Sequence, residues 1–166
     1  MFDTNIYNRI LDGAIPIPTP NPDRTFFATH IQIDELANTK NEERRKRLLD
    51  VFKDVTAIKL PTESAVWGIS KWDEAKFSDE VISTESFVLG SSRLGMAKLS
   101  DGTLYNSLLN DLKAAKPKEK DQDANRRDAL IAETSIKNKL ILVTEDEALF
   151  ETTQKHSGQA IKLSEL

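Results

Sequence analysis

The chain has 166 residues, a hydrophobic content of 39%, a charged content of 30% and a formal net charge of −4. These values are typical of a soluble globular protein and predict one domain over residues 1–166. The absence of cysteine excludes disulfides, thiolate metal sites and cysteine nucleophiles, and two histidines are too few for a multi-histidine zinc site. No apolar run approaches a membrane span and no signal-peptide pattern is visible, so we expect a cytoplasmic protein with no membrane partner.

The start of the sequence predicts a short helix, a connector and a strand. Apolar residues at helical spacing predict a helix over residues 4–11, which Gly13 would end. Prolines at positions 16, 18, 20 and 22 disfavour regular structure, so residues 14–22 are expected to form an extended connector. The apolar stretch Phe26–Ala28 predicts a short strand.

Two capping patterns then predict where two helices begin. Thr29 with Gln32 three residues later fits a capping box, so a helix should begin at His30. Asn41 opens a longer, highly charged helix with one apolar side. That side carries Leu48, Leu49 and Phe52. A strand is expected over residues 55–60.

The second half of the chain alternates helices with buried strands. We expect a buried helix over 64–72, no assignable structure over 73–100, and a helix over 104–112 that ends in a solvated basic loop over 113–120. The remaining elements are a helix over 123–137, a strand over 140–143, a helix over 145–155 and a strand over 159–163. This alternation predicts an α/β fold with a mainly parallel central β-sheet flanked by helices.

Four carboxylates stand out because each borders an apolar element. They are Asp3, Glu35, Asp128 and Asp146. Asp3 fits a helix N-cap, and Asp146 would favour the dipole of the helix that follows it. Glu35 and Asp128 fit solvated surface charges. Thr144 fits the first position of a capping box.

The positions of the four acids also favour a shared site. Asp3 and Asp146 follow the ends of apolar segments, at the edge where open α/β sheets form their ligand crevice. Glu35 borders a buried stripe, and Asp128 shares a helix face with Ile131. Because a core normally excludes acids, a group of them beside apolar elements predicts a cluster that holds divalent cations.

The four acids occur within four short motifs. These motifs are Asp3-Thr4-Asn5, Ile33-Asp34-Glu35-Leu36, Arg127-Asp128-Ala129-Leu130-Ile131-Ala132 and Leu142-Val143-Thr144-Glu145-Asp146. Over residues 1–40 and 122–166, their order and spacing resemble those of PIN-domain ribonucleases, the family that includes the VapC toxins of toxin–antitoxin pairs. Two features differ from the family pattern: only two residues precede the first motif, and the region between the second and third motifs is long.

The resemblance implies a PIN-like fold and a Mg²⁺- or Mn²⁺-dependent endoribonuclease. In that family, one acid from each motif helps to hold one or two divalent ions. Carried onto this chain, the catalytic and metal-binding residues are Asp3, Glu35, Asp128 and Asp146, with Asn5 and Thr144 as supporting polar groups. The resemblance also implies RNA as substrate and an antitoxin protein as partner, and it leaves a homodimer open.

A substrate surface has to be local, because the chain as a whole is acidic. Arg126 and Arg127 directly precede Asp128, so we expect both near the scissile phosphate. Basic runs over 40–47 and 113–120 fit solvated faces, with substrate contact as the alternative. Trp67 and Trp72 could stack on bases, although Trp67 also fits the core.

Two other functions and one partner surface stay open. A PIN-like module could bind RNA or protein in a regulatory assembly without turnover. A phosphotransfer enzyme resembling the haloacid dehalogenases could use Asp3 as nucleophile, but it would need a second acid where Asn5 stands. The apolar side of the helix after Asn41 could accept a partner helix or pack in the protein's own core.

Overall fold

A computed structural model describes five stretches of the chain. They are residues 1–13, 24–66, 68–70, 102–118 and 122–166. The connector expected over 14–22, both tryptophans and the unassigned region over 73–100 lie outside the described residues, and the expectations for them stay predictions.

The described residues form six helices and four short strands. The helices are α1 (Thr4–Leu11), α2 (His30–Ala37), α3 (Glu42–Val55), α4 (Thr103–Ala115), α5 (Gln122–Lys137) and α6 (Glu147–Lys155). The strands are β1 (Phe27–Ala28), β2 (Ile58–Lys59), β3 (Ile141–Val143) and β4 (Gln159–Ile161), followed by a 3-10 turn over Leu163–Glu165. The predicted mixed α/β class is confirmed. No helix in the described stretches is long and apolar enough to cross a membrane.

Both predicted capping patterns are present. The side chain of Thr29 accepts a hydrogen bond from the Ile31 N–H at 3.2 Å, and the side-chain Oε1 of Gln32 accepts one from the Thr29 N–H at 2.9 Å. Asn41 accepts from the Arg44 N–H at 2.8 Å. These bonds satisfy N–H groups that the first turn of a helix cannot pair, so α2 and α3 begin where predicted.

The strands form two parallel pairs, β1 with β2 and β3 with β4. Phe2 adds an isolated parallel bridge to Val143. The parallel direction is as predicted, but a continuous central sheet is not found among the described residues, where each sheet has two strands. The strand expected over 55–60 is limited to Ile58–Lys59 because Val55 is the last residue of α3 and Thr56 is its C-cap.

The helix predicted over 64–72 is wrong for the part that is described. Ser64 lies in a bend, residues 68–69 form a turn, and residues 65, 66 and 70 have no regular secondary structure. Side chains bind the backbone here: the Thr62 hydroxyl donates to the Ser64 carbonyl at 3.0 Å, and the Ser70 hydroxyl accepts from the Val66 N–H at 2.9 Å. Such local bonds compete with helical pairing, and Gly68 adds a left-handed conformation at φ +80°.

Strand β3 lies beside the N-terminal residues 1–2, and consecutive residues of each segment belong to two different hydrophobic clusters. Met1 and Leu142 pack with α4, α5 and α6, whereas Phe2 and Val143 pack with α1, α2 and α3. This division follows from the alternation of side chains along extended backbone. Asp3 follows Phe2 and Thr144 follows Val143, so these two polar residues lie at the boundary between the two clusters.

The apolar side of α3 faces α1. Leu48 and Phe52 are buried there, and the ring centroids of Phe52 and Tyr7 lie 5.2 Å apart. Leu49 is half-buried and packs against the same cluster. Of the two interpretations of this side, packing in the protein's own core is the one found for Leu48 and Phe52.

Candidate functional site

Asp3 lies where the first extended segment ends beside β3. The Asp3 N–H donates to the Val143 carbonyl at 3.0 Å, and the Val143 N–H donates to the Met1 carbonyl at 2.9 Å. This parallel pairing places Asp3 next to Thr144, although 141 positions separate them. The boundary between the two hydrophobic clusters thus becomes a meeting point for polar side chains from both ends of the sequence.

Both carboxylate oxygens of Asp3 are hydrogen-bonded. Oδ1 accepts from the Thr4 N–H at 2.7 Å, so the predicted N-cap role is confirmed. Oδ2 accepts from the Asn5 amide at 2.6 Å and from the Thr144 hydroxyl at 2.7 Å. The side chains expected to support the site, Asn5 and Thr144, therefore hold Asp3 in one orientation.

Asp146 caps helix α6. Its Oδ1 accepts from the Leu149 N–H at 3.0 Å, which confirms that this acid stabilises the start of the helix. The capping box expected to begin at Thr144 is wrong, because Asp146 itself is the N-cap and the helix begins at Glu147. Thr144 Oγ1 instead accepts from the Asp146 N–H at 3.1 Å, so one hydroxyl joins Asp146 to Asp3.

Asp128 and Glu35 are not solvated surface acids. Asp128 lies on α5, its side chain is 15% exposed, and its carboxylate pairs with the Lys116 ammonium at 3.0 Å. Glu35 on α2 accepts a hydrogen bond from the Thr4 hydroxyl and lies 3.8 Å from the Arg127 guanidinium. Both acids therefore contact side chains of other residues, and neither projects from an exposed helix face.

The pKa values of the acids are affected by electrostatic repulsion between them. Burial raises the pKa of Asp3 to about 7, with repulsion from Asp128 and Glu35 adding to the effect. Burial also raises the pKa of Asp128 to about 6 despite attraction to Lys116, and Asp146 and Glu35 raise it further. Burial alone would raise the pKa of Asp146, but hydrogen bonds from Lys116 and the Leu149 N–H hold it below its usual value.

Lys116 is a site residue that the sequence analysis missed. It was assigned to a solvated basic loop, but helix α4 continues to Ala115 and the Lys116 ammonium lies 3.0 Å from Asp128 Oδ2 and 2.6 Å from Asp146 Oδ2. A signal was present: Lys116 continues at four-residue spacing the stripe formed by Leu108 and Leu112, which are both buried. The stripe indicates that Lys116 faces inward.

The two arginines before Asp128 have different surroundings. Arg127 pairs with Glu35, and it lines a cleft of about 260 Å³ together with Asp34 and Asn38. Arg126 pairs with Asp123 one helical turn earlier, at 3.2 Å on the exposed side of α5. Only Arg127 therefore lies beside the acids in this arrangement, and contact of either arginine with substrate stays a prediction.

The surroundings of Asp3, Glu35, Asp128 and Asp146, here called the acidic pocket, offer oxygen ligands, which suit hard divalent cations such as Mg²⁺ and Mn²⁺. Burial, together with like charge nearby, raises the pKa values of Asp3 and Asp128 and so disfavours their charged forms, an effect that a bound divalent cation would offset. In the arrangement described here, no three acidic or histidine side chains among the described residues are grouped to hold a metal ion. The Lys116 ammonium lies between two of the acids instead.

Comparison with protein-family models, curated proteins and solved structures found no match to this chain. Its function is therefore inferred from the chemistry of the side chains around Asp3 and Asp128.

Proposed function

We propose that this chain is a divalent-metal-dependent endoribonuclease of the PIN type. One observation carries the proposal: acids from α2, α5 and the starts of α1 and α6 are close enough to raise one another's pKa values, since Asp3 is affected by Asp128 and Glu35, and Asp128 by Asp146 and Glu35. Two of these acids have pKa values of about 7 and about 6, because burial and mutual repulsion disfavour their charged forms. Proteins do not gather buried acids for stability alone, since each one costs free energy unless it is neutralised.

In this proposal Asp3, Glu35, Asp128 and Asp146 hold Mg²⁺ or Mn²⁺. The bound cation would activate water and stabilise charge on the phosphate. Asn5 and Thr144 keep the Asp3 carboxylate in a fixed orientation through bonds of 2.6 and 2.7 Å. Arg127 stands at the border between the acids and the cleft, where a guanidinium suits a phosphate of the RNA backbone.

Metal-dependent cleavage of RNA by the purified protein tests this function. We expect cleavage with Mn²⁺ or Mg²⁺, none with a chelator, and a loss on the order of 100-fold or more in the Asp128→Asn variant. Asp123→Asn is the matched control, because Asp123 lies on the same helix with its side chain 67% exposed. Activity that persists in Asp128→Asn, or that is independent of metal, would refute the assignment.

A second candidate is a PIN-like module that binds RNA or protein without turnover. A specific observation favours it: Lys116 pairs with both Asp128 and Asp146, and Arg127 lies beside Glu35, so these acids have counter-charges within the protein. Binding of RNA without cleavage at any divalent-ion concentration would support this candidate. The phosphotransfer alternative is weaker, because both oxygens of Asp3 are already bound and Asn5 occupies the position of the second acid.

The toxin role is a separate part of the proposal and comes from the resemblance alone. We propose a cytoplasmic toxin that a partner antitoxin inhibits by presenting a guanidinium to the acidic pocket. Induced expression with and without the adjacent reading frame tests this role. Growth arrest relieved by the neighbouring product would support it, and harmless expression of an active nuclease would remove it.

A further inference from the structure

The Lys116 ammonium joins two carboxylates that come from different elements. Asp128 belongs to α5, and Asp146 caps α6. The contacts of 3.0 and 2.6 Å are as short as charge-assisted hydrogen bonds between ammonium and carboxylate groups. The side chain of Lys116 is 24% exposed, so this is a half-enclosed ion triad rather than a surface pair.

The backbone of Lys116 is anchored, while its side chain is only partly enclosed. The Lys116 N–H donates to the Leu112 carbonyl at 2.8 Å, and the Lys116 carbonyl accepts from the Asn125 amide at 3.1 Å. The four-carbon stem has several rotatable bonds, and the side chain as a whole is partly exposed to solvent. The ammonium can therefore leave the carboxylates by side-chain rotation without any change in the fold of α4.

In the metal-free protein, the Lys116 ammonium reduces the repulsion between the carboxylates of Asp128 and Asp146. Without Lys116, Asp128 and Asp146 would face each other, and Asp128 already senses repulsion from both Asp146 and Glu35. An ammonium supplies one positive charge and three donors, but it cannot coordinate carboxylates as a divalent cation does. A divalent cation that uses the same two oxygens has to displace it.

We propose that Lys116 is a built-in counter-ion that competes with the divalent cation for Asp128 and Asp146. It holds the two acids together while metal is absent and swings outward when metal binds. This inference rests on the proposed metal site and adds regulation of that site. Metal affinity is lowered by the free energy needed to break the Lys116 ion pairs. Without metal, the same ion pairs keep Asp128 and Asp146 in place.

Calorimetric titration of Mn²⁺ into the wild type, Lys116→Met and Lys118→Met tests the proposal. Lys118→Met is the matched control, because Lys118 is an exposed lysine two residues further along. We expect Lys116→Met to bind Mn²⁺ roughly tenfold more tightly, the change that corresponds to losing one partly buried competing ion pair. We expect Lys118→Met to bind like the wild type, and metal-free Lys116→Met to unfold at a lower temperature than either.

The outcomes separate this inference from the proposed function. Binding by Lys116→Met that is equal to or weaker than that of the wild type overturns the counter-ion role and leaves the metal site standing. Absence of Mn²⁺ binding in all three proteins overturns the metal site as well. If Lys116→Met does not fold, Lys116→Gln gives the same test, since its amide keeps a donor and removes the charge.

A measurement on the unmodified protein complements the variants. Acetylation of lysines, followed by mass spectrometry with and without Mn²⁺, reports whether the Lys116 amine is engaged. We expect Lys116 to react more slowly than Lys118 without metal and to become several-fold more reactive with Mn²⁺. No change at Lys116 on metal binding would contradict its displacement.

Discussion

At the scale of single residues, Asp3 combines two roles that are usually treated as alternatives. One carboxylate oxygen caps helix α1 by accepting from the Thr4 N–H, and the other is held by Asn5 and Thr144 inside the acidic pocket. The cap alone does not require burial, since N-caps are commonly exposed. The burial of Asp3 near Asp128 and Glu35 therefore has to be explained by something other than the helix.

Burial of Asp3 predicts how the stability of the metal-free protein depends on pH. Its pKa is raised from 3.8 to about 7 in the folded state, so the folded protein holds a proton that the unfolded chain releases. The stabilising effect of this proton is complete below the unfolded value and is lost as the pH rises from about 4 to about 7. Asp128, with a pKa raised to about 6, acts in the same direction.

Denaturant unfolding in the presence of a chelator, between pH 4 and pH 8, measures this effect. We expect the free energy of unfolding of the wild type to fall with rising pH relative to that of Asp3→Asn, which has no such proton to lose. Parallel curves for the two proteins would show that the pKa of Asp3 is not raised by folding.

At the scale of elements, side-chain spacing and capping patterns predicted the six helices that the structure describes, but they also predicted a helix over 64–72 that is not found in its described part. The starts of α2 and α3 follow from Thr29, Gln32 and Asn41, whose bonds are local and can be read from neighbouring residues. The strands were harder to predict because they have two or three residues, too few for a periodic pattern. The turn after Ser64 was missed because bonds to side chains replaced helical pairing.

The acidic site was predictable only in part for a similar reason. Neighbouring residues identify candidate acids, but whether they meet depends on contacts between distant parts of the chain. The pairing of Phe2 with Val143 brings Asp3 to Thr144, and no local pattern specifies that register. The inward direction of Lys116 was encoded by its spacing from Leu112, but the surrounding lysines gave this segment the composition of a solvated loop.

Two neighbouring leucines on α3 test the packing of that element. Leu48→Ala should destabilise the protein by roughly 2–5 kcal/mol, because Leu48 is fully buried and its truncation leaves a cavity. Leu49→Ala should cost clearly less, since Leu49 is half-buried at the edge of the same cluster. Urea unfolding of both variants measures the difference. Equal costs, or a larger cost for Leu49, would mean that α3 is rotated relative to the packing described.

At the scale of the whole molecule, the site lies where two hydrophobic clusters meet. Met1 and Leu142 anchor one side, Phe2 and Val143 anchor the other, and the polar residues that follow them occupy the boundary. Acids carried by elements of both clusters are therefore held by packing on two sides. In the proposed metal site these acids are the oxygen ligands, and Lys116 is the counter-ion that metal displaces.

The central claim is that these acids act together as a divalent-cation site, and calorimetric titration of Mn²⁺ tests it most directly. Wild type and Asp123→Asn should bind Mn²⁺ equally, because Asp123 lies on the exposed side of α5. Asp3→Asn, Asp128→Asn and Asp146→Asn should each weaken binding by roughly tenfold or more. Equal binding by the three variants and the wild type, or no binding by any of them, would contradict a shared metal site.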